Sequence, residues 1–241
     1  ETAQILMAYQ DHPGLVMCAT AELAGAYFPQ LEGWTRVLGA PSLATLQQKA
    51  ERAAQTGAPY EALGYGLETS RTTPDEEWND LVGSTQAARA ISDQYGKLLV
   101  MGPGFRLMSQ NQDKYDDMAS LTDIWIFQTQ DLQRNPPGPA YRQGVEQVVN
   151  QIRAGNPNIV IWAQITLPPD REPDAKEWLA YRRSIADLVD GAALRRGRPH
   201  VLRGPGRPAA WNAPAPRRWP PIGSGAGARP MQSPRDRPPR P

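Results

Sequence analysis

Short apolar runs recur through this chain at a spacing of roughly 30 residues, each followed by a stretch of helical periodicity, and that alternation restricts the fold most. The runs are Ile5–Tyr9, Thr35–Leu38, Tyr60–Leu67, Lys97–Met101, Asp123–Gln128 and Asn158–Ile165. Helical segments lie between them. Ser42–Thr56 has Ser42 placed to cap it and Gly57 to stop it. Thr73-Pro74-Asp75-Glu76 opens a helix that continues, with a break at Gly83, to about Tyr95, where Gly96 ends it. Asp113–Leu121 is short. Ala140–Ala154 runs into Gly155-Asn156-Pro157, and Pro173–Val189 closes the series.

Strand and helix in strict alternation predict βαβ units on a parallel sheet. The strands are apolar at consecutive positions, as a sheet buried on both faces requires. A doubly wound open sheet alternates in the same way. A TIM-type (β/α) barrel is favoured because no glycine-rich phosphate loop follows the first run. The long Asp11–Gly33 stretch then reads as a loop on the active face. The expected fold is an α/β barrel that is incomplete, six βα units in.

The pattern stops at Asp190-Gly191, where a seventh strand is due. From Gly191 onward the chain holds 12 Pro, 11 Arg and 7 Gly, no Lys, and one acid, Asp236. The body is acidic and this segment is strongly basic, a split that argues for separate roles. Residues 1–190 therefore form the expected barrel-like domain, and 191–241 a basic low-complexity tail. Such a composition buries too little apolar surface to offset chain entropy. Three origins stay open for it: a disordered tail, a frame-shifted reading of a GC-rich gene, and a basic arm. The arm is the weakest, since interleaved aromatics and repeats are lacking, so a nucleic-acid partner is not expected. An incomplete barrel leaves unpaired strand edges, which makes self-association an expectation.

Composition excludes several chemistries. Cys18 is the only cysteine, so neither an intrachain disulfide nor a Cys-based zinc site can form. His12 and His200 are too few for a multi-His metal site, and no Gly-x-Ser-x-Gly elbow occurs. No apolar run approaches the roughly 20 residues of a membrane span. No basic leader precedes the first run, so the expected setting is cytoplasmic, or exported with a leader removed.

In parallel α/β folds, chemistry gathers where strands end. Asp11 and Glu68 follow the first and third runs and should share one face. A pair of carboxylates is the minimum for glycoside hydrolysis, so both are candidate catalytic residues. Gln128 and Gln164 offer donors and acceptors to sugar hydroxyls. Tyr9 and Arg106 complete the candidate binding set, and Tyr65 and Trp162 could add stacking surface. Against this, a strand-end acid often pairs with a nearby base, here Arg106 or Arg71. Asp75, Glu76 and Glu77 read as acids that complement their own helix dipole. Asp113, Asp116 and Asp117 read as a solvated acidic face, and Gly102-Pro103-Gly104 as a tight turn with no helix directly behind it.

Tyr65-Gly66-Leu67-Glu68 followed by Thr73-Pro74-x-x-Glu77 resembles a group of bacterial barrel proteins of unassigned role. Asp123-Ile-Trp-Ile-Phe-Gln128 with Gln130, and Trp162-Ala-Gln164, extend the resemblance over residues 1–190. That group is similar in architecture to glycoside hydrolases, which implies a barrel that continues for two further strands.

The expected function is a hydrolase on a barrel scaffold, glycoside-hydrolase-like, acting on a carbohydrate or other small molecule. Two alternatives stand beside it. One is a lactone or ester hydrolase, for instance of acyl-homoserine lactones, in which calcium held by oxygen ligands polarises the carbonyl. Calcium is the one cofactor candidate. The other is a non-catalytic carbohydrate-binding or defective barrel.

Overall fold

The computed structural model describes residues 14–31, 33–68, 72–167 and 175–196. The run Ile5–Tyr9, with Tyr9 and Asp11, lies outside the described residues, as does the tail from 197 onward.

Among the described residues seven strands form one sheet in chain order, every neighbour parallel. They are β1 Leu15–Cys18, β2 Thr35–Ala40, β3 Ala62–Tyr65, β4 Leu98–Met101, β5 Ile124–Gln128, β6 Val160–Leu167 and β7 Gly191–Arg196. The helices between them are α1 Ala21–Tyr27, α2 Leu43–Thr56, α3 Asp75–Asn79, α4 Leu81–Gln94, α5 Phe105–Ser109, α6 Tyr115–Ser120, α7 Pro139–Gly155 and α8 Ala175–Ser184. None of these helices is long and apolar enough to cross a membrane.

Local chemistry explains the helix boundaries. Ser42 accepts from the Thr45 amide at 3.3 Å, and Gly57 closes α2 at φ 65°, where a side chain would be strained. The break between α3 and α4 falls at Asp80 rather than Gly83. Asp80 caps α4 through the Gly83 amide at 3.0 Å. A Cβ at Gly83 would sit 2.1 Å from the Asp80 carboxylate, so the glycine is there to admit the cap.

Two strands correct the sequence reading. Leu15–Cys18 lies inside the stretch expected to be a loop, yet it pairs with Thr35–Leu38. Gly191–Arg196 pairs with Trp162–Leu167, so regular structure extends six residues past the compositional boundary. Asp190 shows why. Its amide donates to Ile161 O (2.9 Å) and its carboxylate accepts from Ile161 N (2.9 Å). Asp123, before β5, makes the same two bonds with Leu99 (3.1 and 2.8 Å), and Glu61, before β3, makes them with Arg36 (3.0 and 2.8 Å). Each acid also meets an arginine: Arg36 for Glu61, Arg89 for Asp123 (2.6 Å) and Arg153 for Asp190 (3.5 Å). Burial acts to raise the Glu61 carboxyl, but the Arg36 bonds outweigh it and hold the group below the usual carboxylate range.

The sheet has two apolar faces. Outward residues such as Leu38, Leu63, Leu99, Met101, Trp125 and Ile161 pack against the helices. Tyr65 belongs to this side. It is buried, and its hydroxyl donates to the Glu77 carboxylate at 2.6 Å, which with burial drives the phenol pKa strongly upward. It therefore supplies no stacking surface. Glu77 also accepts from the Leu43 amide (3.1 Å), so this buried acid serves the N-terminus of α2, not the dipole of its own helix.

Inward residues Val37, Ala62, Val100 and Ile124 form a second cluster, joined by Leu15 of β1 and by Val160 and Trp162 of β6. A Cβ on Gly14, just before β1, would lie 3.6 Å from Trp162 Cη2. The first and sixth strands thus meet across the interior, which a flat sheet cannot do; the sheet is curled as in a (β/α) barrel. Trp162 fills that interior instead of presenting a stacking face.

Gly191 stands opposite Trp162 on β7, and a Cβ there would fall 2.7 Å from the indole. Gly191→Val is expected to lose about 1–3 kcal/mol by overpacking; unchanged urea or thermal unfolding would show that Trp162 is not held there. Because the Glu61 pKa is lowered on folding, its stabilisation is present above the unfolded value of about 4.3 and is lost as pH falls through the folded value. Glu61→Gln should therefore flatten the acid limb of a plot of melting temperature against pH, and an equally steep limb in the variant would assign that limb to other groups.

Candidate functional site

A cavity of about 510 Å³ opens where the strands end, within the range of small-ligand sites. Two kinds of residue line it. On the β2–β4 side the inward positions are Gly39, Gly64, Gly66 and Gly102. On the β5–β6 side they are Gln128 and Gln164. Gly39 and Gly64 are set by packing, since a Cβ at either would run into Met17, at 2.5 and 3.0 Å. Gly66 and Gly102 are not: a Cβ would meet nothing nearer than 3.7 and 3.8 Å. Their missing side chains leave the cavity open.

Glu68 stands at this mouth. Tyr65 O and Leu67 O accept from the Gly102 and Gly104 amides (3.1 and 2.9 Å), so the parallel ladder of β3 and β4 continues past both strands. Pro103 tolerates this because its absent N–H lies on the side facing β5. The segment is thus a strand extension that leads directly into α5, not a tight turn without a helix behind it. It carries Glu68 to the rim, with Gly104 beneath it: a Cβ on Gly104 would touch the Glu68 side chain at 3.5 Å.

Among the described residues the partner of Glu68 is an amide, not Arg106; Arg71 lies outside them. Gln128 Nε2 donates to Glu68 Oε1 at 2.7 Å, and Gln130 Nε2 donates to Gln128 Oε1 at 2.8 Å. Gln128 is buried. The chain Gln130–Gln128–Glu68 fixes the orientation of one carboxylate oxygen and leaves the other without a protein bond among the described residues. Gln164 Nε2 is buried and also lacks a partner, a donor waiting for an acceptor. Behind it, Thr129 binds Gln164 O through its amide (3.1 Å) and its hydroxyl (3.0 Å). Gln133 spans Thr166 N and O at 2.9 and 2.7 Å, which holds the ends of β5 and β6 together.

Of the residues expected at the site, Glu68, Gln128 and Gln164 are brought together. Arg106 is not: it lies on the exposed side of α5, away from the cavity. Asp11 and Tyr9 lie outside the described residues. Sequence reasoning passed over Lys49, which lines the cavity from α2, and the positioning role of Gln130. Two-residue spacing from Gln128 was the available sign for Gln130; a lysine within an amphipathic helix gave none.

Among the described residues no three His, Cys, Asp or Glu side chains converge to hold a metal ion. Asp113 pairs with Lys114 at 2.9 Å, and Asp116 and Asp117 are exposed, a solvated face as expected.

No protein-family model matches the chain, and no curated protein matches its sequence. Solved structures bear a distant likeness, two of them as follows. A phospho-2-dehydro-3-deoxyheptonate aldolase (DAHP synthase) from Thermotoga maritima aligns with a TM-score of 0.43 and 15% identity, over 68% of this chain and 41% of that one. A 3-dehydroquinate dehydratase from Aquifex aeolicus aligns with a TM-score of 0.42 and 7% identity, over 66% of this chain and 67% of that one. The chain thus spans less than half the length of the aldolase. The barrel architecture itself stands on the sheet order and curl described above.

Proposed function

We propose that the chain is a hydrolase on a (β/α)-barrel scaffold, glycoside-hydrolase-like, with Glu68 as acid/base and Asp11 as its partner. The observation that carries this reading is the Glu68 carboxylate at the cavity mouth, one oxygen held by Gln128 (2.7 Å) and the other without a bond among the described residues. A carboxyl fixed through one oxygen can deliver a proton to a leaving glycosidic oxygen, or accept one from water, through the other. Gln128 is a positioning residue: it orients Glu68. Gln164 binds, its unpartnered Nε2 suiting a sugar hydroxyl. Tyr9 remains a proposed binding group, and Arg106 drops out because it is exposed. The wall left open at Gly66 and Gly102 gives room for a flat, polar ring. The resemblance to barrel proteins similar in architecture to glycoside hydrolases supports the same reading.

Glu68→Gln keeps the size and the hydrogen-bonding capacity of the side chain. It is expected to lower turnover of a panel of nitrophenyl glycosides by at least about 10²-fold, with melting unchanged. Full turnover in that variant ends the proposal. Saturable sugar binding in the parent without turnover would support the carbohydrate-binding alternative instead.

A further inference from the structure

Strand β2 outlasts β1. Their ladder ends where Cys18 faces Leu38. Odd-numbered residues of β2 turn their peptide groups toward β1, as Thr35 does in donating to Gly14 O at 2.8 Å. The Gly39 carbonyl therefore points into the gap that β1 vacates. Lys49 fills this gap from the middle of α2, and its Nζ donates to Gly39 O. In doing so it reaches the wall of the cavity beside Gly39 and Gly64.

Lys49 is half-buried, and no described carboxylate forms an ion pair with it. Two acids that share a surface hollow with it are engaged elsewhere: Glu22 with Arg52 (3.1 Å) and Glu51 with Gln47 (2.7 Å). Burial holds the Lys49 ammonium below the ordinary lysine range. A partly desolvated cation that meets a carbonyl and, among the described residues, no carboxylate is suited to receive an anion. It shares the cavity with neutral amides and a single described carboxylate, Glu68.

We propose that this cavity takes a sugar bearing an anionic group, carboxylate or phosphate, which Lys49 receives at the β1–β2 corner while the hydroxyls lie toward Gln128 and Gln164. The proposal rests on the reading of this cavity as the substrate site, and narrows that substrate to acidic carbohydrates. Lys49 contributes charge and a donor; the bare Gly66 and Gly102 backbone leaves the approach open.

The test is equilibrium binding to the full chain carrying Glu68→Gln, by calorimetry at low ionic strength, with glucuronate, glucose 6-phosphate and glucose as probes. One acidic probe at least should bind about tenfold tighter than glucose, and added salt should erode that margin. Which acid leads tells carboxylate from phosphate. Lys49→Gln, which keeps a donor for Gly39 O, should bring the ratio to about one, while Lys49→Arg should retain most of it. Lys49→Met serves as a second neutral variant should Lys49→Gln unfold. No preference in the parent overturns the proposal, as does a preference that survives either neutral variant. Charge preference in a chain that hydrolyses no glycoside would sink the hydrolase reading alone, and turnover without charge preference would sink this one alone.

Discussion

The carboxylate ahead of an odd-numbered strand, answering an amide on the strand before it, is the interaction on which this sheet depends. Glu61, Asp123 and Asp190 each exchange two bonds with the second residue of the preceding strand, and each is met by an arginine. A one-residue slip in a parallel sheet would turn every side chain to the other face. Here the faces are both apolar, so hydrophobicity alone would resist such a slip weakly. The acid supplies what the pattern lacks. It satisfies an N–H that has no main-chain partner at the strand entry, and it does so at one register only.

That anchoring at the strand entries leaves the strand exits free to vary. Above the interior layer of Val37, Ala62, Val100 and Ile124 the inward positions become glycine on one side and glutamine on the other. Trp162 closes the interior below, so the cavity has a floor rather than a channel beneath it. Division of labour follows: one end of the barrel is tied by charge and register, and the other offers a carboxylate, amides and an ammonium around bare backbone.

Much of this was legible in the chain itself. Ser42 and Gly57 bracket α2 as read, the five apolar runs from Thr35 to Ile165 are strands, and Glu68, Gln128 and Gln164 converge. The misses have physical causes. Leu15–Cys18 is four residues long and follows Pro13-Gly14, so it carries no periodicity to detect. Gly191–Arg196 has no β-branched residue and begins where composition changes; only the parallel with Glu61 and Asp123 marks Asp190 as a strand entry. Tyr65 and Trp162 were assigned to the cavity because a strand apolar at every position does not disclose which residues face inward. Lys49 was invisible because its role depends on β1 ending two positions before β2 does.

The locks close within pairs of strands: β2 with β3, β4 with β5, β6 with β7. Between pairs the entry contacts are main-chain bonds, Leu98 N to Glu61 O and Val160 N to Asp123 O, both 3.0–3.1 Å. The smallest segment that can be lifted out with its own register intact is therefore two strands and their helices, not one. Any lineage that lengthens, shortens or recombines this scaffold would inherit it in such doublets, with crossover points in the connections that follow β3 and β5.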